Sequence, residues 1–280
     1  MRKLINKIDA VATNDGDGVK IHRIAGRQIN SILDPFLMVD EINSDDAADY
    51  IGGFPEHPHR GFETITYMKA GRMRHRDHMG NEGVIEAGGV QWMTAGKGVL
   101  HSEMPEQTNG LLHGFQIWLN LPANEKMKPA AYRDIQSESI TELHLKTGGL
   151  VRVVAGNVKV DGVALVGPLP KLSTEPVMLD VELNSSESIE LEFNKQNPVL
   201  VHVYAGGLNE RRDDELKARQ MGFFSQGESL GLQGGVNGAK VLVLSGQPLK
   251  EPIVQYGPFV MNTVEGVEQA FQDYRQNKLV

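Results

Sequence analysis

The chain has 280 residues and a formal net charge of −8 at pH 7, and its hydrophobic (40%) and charged (23%) fractions are typical of folded globular proteins. The negative charge argues against a protein that binds nucleic acid through a basic face, so no direct nucleic-acid binding is expected. The absence of cysteine excludes disulfides, thiolate metal sites and thiol catalysis. No apolar signal segment opens the chain and no stretch approaches the roughly 18 apolar residues of a spanning helix, so a cytoplasmic protein without membrane attachment is expected.

Short β-prone runs, separated by glycine, proline and Asn/Asp turns, dominate the chain. Several runs alternate apolar and polar residues, as half-buried antiparallel strands do. The runs span residues 63–70, 83–96, 111–122, 150–156, 176–183, 188–193, 198–206 and 240–246. Many short strands with few helical signals predict an all-β protein of the sandwich or barrel type.

A joint is expected near the middle of the chain. Residues 120–139 carry prolines and charges, have few β-branched side chains and separate two β-rich halves. We therefore expect two β-barrels in tandem, formed by residues 1–135 and 136–280. The segment after Thr263 has apolar residues at helical spacing and predicts a short C-terminal helix in the second half.

Two pairs of side chains suggest a metal site. His57 and His59 lie two residues apart on a predicted strand, so they project from the same face. The segment "GKGVLHSEMP" supplies His101 and Glu103 at the same spacing. On adjacent strands the two pairs would converge, and imidazole with carboxylate suits Fe, Ni, Cu, Mn or Zn. Four such ligands leave an octahedral metal two open positions, which is a catalytic arrangement, whereas a tetrahedral zinc would be closed and structural.

Several separated motifs resemble those of the pirin family, within the cupin superfamily. They are "DPFLMVDEI", "FPEHPHRGFETITYMKAG", "GGVQWMTAGKGVLHSEMP", "GFQIWLNLP" and "GQPLKEPIVQYGPFVMNT", which together cover most of the chain. The resemblance implies two cupin barrels of the jelly-roll type, with one mononuclear metal in the N-terminal barrel. It implies Fe(II) as the metal, with Ni, Cu, Mn, Co or Zn as alternatives, and the ligands His57, His59, His101 and Glu103.

Glu63 occupies the position of the glutamate ligand in the general cupin motif, but another residue is preferred as the ligand here. The general cupin pattern places a glutamate soon after H-x-H, where this chain has Glu63, and parity allows it onto the face of His59 if the strand is unbroken. Pirins resemble one another in using the later glutamate, so Glu103 is preferred as the ligand. Glu63 is then expected to be a structural carboxylate or one that orients a histidine ring.

Four other histidines are assigned no metal role. His75 and His78, beside Asp77, read as a strand end and turn, where solvated polar residues are expected. His113 is expected to be a hydrogen-bonded barrel histidine. His202 has no histidine or carboxylate partner two residues away, so the C-terminal barrel is expected to be metal-free.

The resemblance implies two functions of different classes. Some pirins are similar in activity to quercetin 2,3-dioxygenase, which opens the central flavonol ring with O₂ and releases carbon monoxide; Glu103 would then accept the proton of the 3-hydroxyl. The alternative is a metal-dependent, redox-sensitive regulatory protein that binds a transcription factor or a metabolic enzyme. The same four ligands serve both functions. An open apolar pocket beside the metal favours catalysis, and a closed one favours regulation.

Overall fold

The computed structural model describes residues 1–26, 30–169, 172–209 and 212–280, without the side chains of residues 30 and 31. The strands in these ranges are β1 (Leu4–Asp9), β2 (Val11–Asp15), β3 (Val19–Ala25), β4 (Phe36–Ser44), β5 (Phe54–His59), β6 (Phe62–Ala70), β7 (Met73–Asp77), β8 (Glu82–Ile85), β9 (Val90–Thr94), β10 (Val99–Pro105), β11 (Leu112–Asn120), β12 (Ala131–Ile135), β13 (Thr141–His144), β14 (Leu150–Ala155), β15 (Asn157–Val160), β16 (Val163–Val166), β17 (Val177–Leu183), β18 (Ser188–Glu192), β19 (Val199–Leu208), β20 (Leu216–Lys217), β21 (Gln220–Phe224), β22 (Ser229–Ser245), β23 (Val254–Tyr256) and β24 (Phe259–Met261). The helices are α1 (Asn30–Leu33) and α2 (Val264–Arg275), with 3₁₀ turns at Ala47–Asp49, Ala123–Glu125 and Ser137–Ser139. Within these ranges, no helix has both the length and the apolar character needed to cross a membrane.

The chain folds into two compact units, and each unit includes a terminal segment from the opposite half of the chain. We call residues 11–137 with 249–280 the N-terminal unit, and residues 1–10 with 138–248 the C-terminal unit. The internal break lies close to the expected joint, but the division differs from the expected 1–135 and 136–280 at both termini. The reason is strand pairing, because β1 pairs antiparallel with β21 over Leu4–Asp9.

The C-terminal unit is built on one antiparallel sheet with an apolar interior. The sheet order is β1-β21-β19-β22-β17-β14-β13, with β15, β16, β18 and β20 attached. Its core consists of aliphatic and aromatic side chains such as Val153, Leu179, Val201 and Val243, all fully buried. The expectation that this unit holds no metal is consistent with such a core and stays a prediction.

The N-terminal unit has two facing sheets. The larger has the order β12-β9-β6-β11-β4-β3-β2, and the smaller has the order β5-β10-β7-β8. Side chains from both sheets meet between them: the ring of His59 on β5 lies 5.0 Å from Phe62 on β6 and 5.2 Å from Trp118 on β11. Between β5 and β6 the chain passes from one sheet to the other at Gly61, which has a φ of +91° and where a Cβ would collide with the carbonyl of Val260.

The predicted C-terminal helix is present as α2. Thr263 caps its start by accepting a hydrogen bond of 3.0 Å from the Gly266 amide. Its buried face carries Val267 and Ala270. The helix belongs to the N-terminal unit, where Asp273 forms an ion pair of 2.7 Å with Arg60, a residue with 4% exposure directly after β5.

Candidate metal centre

The three histidines converge as the spacing predicts. Strands β5 and β10 pair antiparallel, with His57 opposite His101 and His59 opposite Val99. Because alternate residues of a strand share a face, both β5 histidines point to the same side as His101. The ligand nitrogens of the three rings all lie within 4.8 Å of one another. The smaller sheet therefore presents a compact group of three imidazoles.

The orientation of the two β5 rings suits a cation. His57 Nδ1 lies 2.8 Å from the Pro55 carbonyl oxygen, and His59 Nδ1 lies 3.3 Å from the Pro258 carbonyl oxygen. A carbonyl only accepts, so Nδ1 carries the proton in both rings and each Nε2 is left with a lone pair. The two Nε2 atoms are nevertheless 3.0 Å apart. Two lone pairs at that distance repel unless a cation lies between them, and about 3 Å is the separation of two nitrogens that share one metal at bonds of ~2.1 Å.

His101 supplies the third nitrogen from a buried position. It is 1% exposed, and among the described residues its Nε2 has no hydrogen-bond partner. Burial, together with the neighbouring rings of His59 and His57, holds the pKa of His101 well below its usual value. Burial and His57 lower the pKa of His59 in the same direction. The rings of His101 and His59 are thus neutral, as metal ligands must be.

His75 is the residue that the sequence analysis misjudged. We expected it and Asp77 to be solvated at a strand end, but both are buried on β7, at 0% and 8% exposure. His75 Nδ1 lies 3.5 Å from His101 Nδ1, so it contacts the ring from behind. The signal was the alternation of β7, in which Arg74 and Arg76 are exposed and the odd-numbered residues are buried. His78, beyond the strand, is exposed as expected.

Glu103 lies in the same cavity but is held by other partners. Its side chain is buried, and its Oε1 accepts from Thr66 Oγ1 at 2.6 Å while its Oε2 accepts from Gln116 Nε2 at 3.0 Å. Thr66 Oγ1 also lies 2.7 Å from Gln116 Oε1. Thr66 and Gln116 thus fix the position of the Glu103 carboxyl group inside the cavity.

Glu63 occupies the other face of the larger sheet. The parity that would align it with His59 is lost, because β5 and β6 belong to different sheets and the chain turns at Gly61 between them. Glu63 Oε1 accepts from Thr94 Oγ1 at 2.7 Å and lies 3.6 Å from Lys128 Nζ. Burial raises its pKa. Of the two roles expected for it, these contacts favour the structural carboxylate.

Two further histidines, His113 and His202, occupy buried positions. His113 Nε2 lies 3.0 Å from Glu41 Oε1, so it is a hydrogen-bonded barrel histidine as expected. His202, in the C-terminal unit, is buried with its Nδ1 3.2 Å from the carbonyl oxygen of Gln220.

A cavity of about 630 Å³ opens beside the histidines. Apolar side chains provide much of its wall: Ile21, Met38, Ile42, Phe54, Pro55, Trp118 and Pro258. His57, His59, Glu103 and Gln116 lie on the polar part of the wall. Arg23 and Asp40 also line it, and neither was predicted from the sequence. The signal was again alternation, because residues 38, 40 and 42 share one face of β4.

Two antiparallel β units, one with three histidines converging inside its barrel, define a protein of the two-domain cupin class. Residues 18–119 match the family model of pirin, and residues 178–280 match that of the pirin C-terminal cupin domain. A protein of Vibrio cholerae named "putative quercetin 2,3-dioxygenase" is 47% identical over 273 residues, which cover 98% of this chain and 96% of that protein. The chain belongs to the pirin family.

More distant relatives and solved structures agree with this family. Pirin of Mus musculus is 35% identical over 272 residues, covering 95% of this chain and 89% of that protein. A crystal structure of quercetin 2,3-dioxygenase from Acinetobacter baumannii covers 100% of this chain and 98% of its own, with a TM-score of 0.90 and 32% identity. A bacterial pirin from Escherichia coli, in complex with nickel(II), shares the fold at a TM-score of 0.64 and 18% identity, covering 89% of this chain and 99% of its own.

Proposed function

We propose that this chain is a metal-dependent dioxygenase that opens the central ring of flavonols such as quercetin with O₂. The observation that carries the proposal is the cavity of about 630 Å³, largely apolar, that opens on His57, His59 and Glu103. Its volume is that of a small-molecule site, and a regulatory metal protein needs no such space beside its metal. The names of the Vibrio cholerae relative and of the Acinetobacter baumannii structure support the same reaction.

The donor set suits one transition metal per chain. His57, His59 and His101 would hold it through their Nε2 atoms, with Glu103 as the fourth ligand. Imidazole and carboxylate donors without sulfur fit Fe(II), which we propose as the metal, with Ni, Cu, Mn, Co or Zn as the alternatives. When bound, the metal supplies positive charge that favours the ionised 3-hydroxyl of a flavonol and holds the substrate where O₂ can reach it.

Side chains of the protein then accept the proton of the substrate and contact its aromatic rings. Glu103 accepts the proton of the 3-hydroxyl, and Thr66 and Gln116 hold its carboxyl in place. Trp118 and Met38 line the cavity and cover the flat rings. Both atoms of O₂ end in the ring-opened product and the carbon that bears the 3-hydroxyl leaves as carbon monoxide, so the reaction needs no reductant.

The test is oxygen uptake by protein purified without air and analysed for metal. Metal-replete protein should consume O₂ with quercetin, release carbon monoxide and lose the flavonol absorbance. Metal-free protein should be inactive until metal is restored. Metal-replete protein that does none of this with several flavonols would overturn the proposal and direct attention to a protein partner.

A further inference from the structure

A row of polar side chains crosses the inner face of the larger sheet. Arg23 on β3 is the register partner of Asp40 on β4, which faces Gln116 on β11, which faces Thr66 on β6. Inner faces of packed sheets normally form an apolar core. Gln116 and Thr66 donate hydrogen bonds to Glu103, and this role explains why polar residues occupy that end of the row. Arg23 and Asp40, at the other end, have no part in holding the metal or Glu103.

Arg23 and Asp40 form a two-point ion pair in the cavity wall. Arg23 Nε donates to Asp40 Oδ1 at 2.9 Å, and Arg23 Nη2 donates to Asp40 Oδ2 at 2.7 Å. The Asp40 side chain is 4% exposed, whereas that of Arg23 is 36% exposed, with its Nη2 also donating to Asp15 at 2.8 Å. Removing a carboxylate from water is unfavourable even when it is paired. An aliphatic pair would stabilise this wall as well, so the polar pair calls for a role in binding.

The hydrogen-bonding capacity of the pair exceeds what it uses internally. Each carboxylate oxygen of Asp40 accepts one hydrogen bond from Arg23 and has a second lone pair. Among the described residues, Arg23 Nη1 has no hydrogen-bond partner, since the bonds of this guanidinium run through Nε and Nη2. The wall thus offers a charged acceptor beside a charged donor. A phenolic hydroxyl can use both, donating to the carboxylate and accepting from the guanidinium.

The geometry points to the Arg23–Asp40 pair as the recognition site for the free hydroxyls of the substrate, apart from the end that binds the metal. This inference rests on the proposed function, and it narrows the substrate class to planar polyphenols. One end of such a molecule carries the hydroxy-ketone for the metal, its flat rings lie against Ile42 and Trp118, and a second ring carries hydroxyls that reach Asp40. A flavonol with the hydroxy-ketone alone would displace water from Asp40 and Arg23 without forming hydrogen bonds to them. Its affinity should therefore be lower.

The experiment compares quercetin, which has hydroxyls on both outer aromatic rings, with 3-hydroxyflavone, which has the metal-binding end alone. Binding is measured by calorimetry without oxygen, in metal-loaded protein, and turnover is measured in air. Wild-type protein should bind quercetin at least about tenfold more tightly than 3-hydroxyflavone, the factor for one charged hydrogen bond at a partly open site. In Asp40→Asn this preference should fall to about threefold or less, because a neutral amide is a weaker acceptor than a carboxylate.

Asp49→Asn is the matched control. Asp49 also pairs with a cation of β3, at 2.6 Å from Lys20, but it does not line the cavity. This variant should keep the wild-type preference. Asp40→Asn keeps a side-chain oxygen that can accept a hydrogen bond from Arg23. Arg23→Gln provides a second variant if Asp40→Asn does not fold. Arg23→Gln should also lower the preference for quercetin.

The outcomes separate this inference from the proposed function. Equal affinity of wild-type protein for the two flavonols, or a preference unchanged in Asp40→Asn and in Arg23→Gln, overturns the role of the pair. A preference that depends on Asp40, in protein that turns over neither flavonol, supports the role of the pair and overturns the dioxygenase. Turnover of both flavonols without a preference for quercetin supports the dioxygenase and overturns the role of the pair.

Discussion

His101 is the single residue whose removal tests the metal centre most directly. Its Nε2 is buried without a partner among the described residues, so a metal ion is the group that would satisfy it. We expect His101→Ala to lower the metal content, measured by plasma mass spectrometry, far below one ion per chain. The circular dichroism spectrum should be retained, because the barrel core does not depend on this ring. His78→Ala, at an exposed position, is the control, and full metal occupancy in His101→Ala would refute the ligand assignment.

The two glutamates give a matched pair of substitutions. Glu103→Gln replaces a charged ligand candidate in the cavity, so we expect it to weaken metal binding strongly. Glu63→Gln lies on the opposite face of the sheet and can still bond to Thr94, so metal content should stay near the wild-type value. Metal titration of both variants under the same conditions is the measurement. Loss of metal in Glu63→Gln alone would reverse the assignment of the two carboxylates.

At the residue scale, spacing alone is enough to bring His57, His59 and His101 together. The two i, i+2 pairs converge only if each lies on one face of a strand and the two strands are neighbours. Strands β5 and β10 meet both conditions. Whether Glu63 shares a face with His59 depended instead on whether one strand continues through both residues. The chain turns at Gly61 because β5 and β6 join different sheets, which local sequence does not reveal. The Arg23–Asp40 pair depended on the partner of β3, which a single sequence does not reveal. Long-range pairing is the information that was missing.

At the scale of elements, Lys126 joins three segments of the N-terminal unit. It is 1% exposed, and its Nζ donates to the Gly61 carbonyl at 2.7 Å, to Asn120 Oδ1 at 2.6 Å and to the Val260 carbonyl at 3.1 Å. Lys126→Met leaves these buried acceptors without a donor, so we expect it to lower the free energy of unfolding by about 2–4 kcal/mol. Urea denaturation measures this, with Lys128→Met, whose side chain is 31% exposed, as the control.

The same lysine should make stability depend on pH. Burial lowers the pKa of Lys126 from 10.5 to about 7. Between these values the unfolded chain binds more protons at this site than the folded one, so the free energy of unfolding rises with pH from about 7 towards 10.5 and this contribution is lost below pH 7. The rise between pH 7 and 9, of about 2 kcal/mol, should be present in wild-type protein and absent in Lys126→Met. An identical slope in both proteins would contradict the shift.

Elements were the most predictable level of the structure. All eight β-prone runs contain strands, and the terminal helix begins directly after Thr263. Alternation and turn residues are local signals, so they can be read without knowing the fold. The sheet to which each strand belongs is not local. The helix was expected to belong to the second barrel, yet Asp273 binds Arg60 in the first.

For the whole molecule we predict one metal ion per chain, in the N-terminal unit. Its three histidines form the metal-compatible group found among the described residues, and the C-terminal unit has an apolar core instead. Anomalous scattering at the metal edge should give one peak, near His57. The contradicting result is a second peak bound within residues 150–260.

The exchange of chain ends between the units bears on how the protein is made. Domains usually fold in the order in which the ribosome releases them. Here the C-terminal unit is complete once residue 248 has emerged, whereas the N-terminal unit still lacks residues 249–280. Pro258, whose carbonyl orients His59, and the α2 helix, which anchors Arg60, are among those last residues. The histidine pocket is thus completed after the C-terminal unit although its histidines are translated earlier, and metal loading should follow the synthesis of residues 249–280.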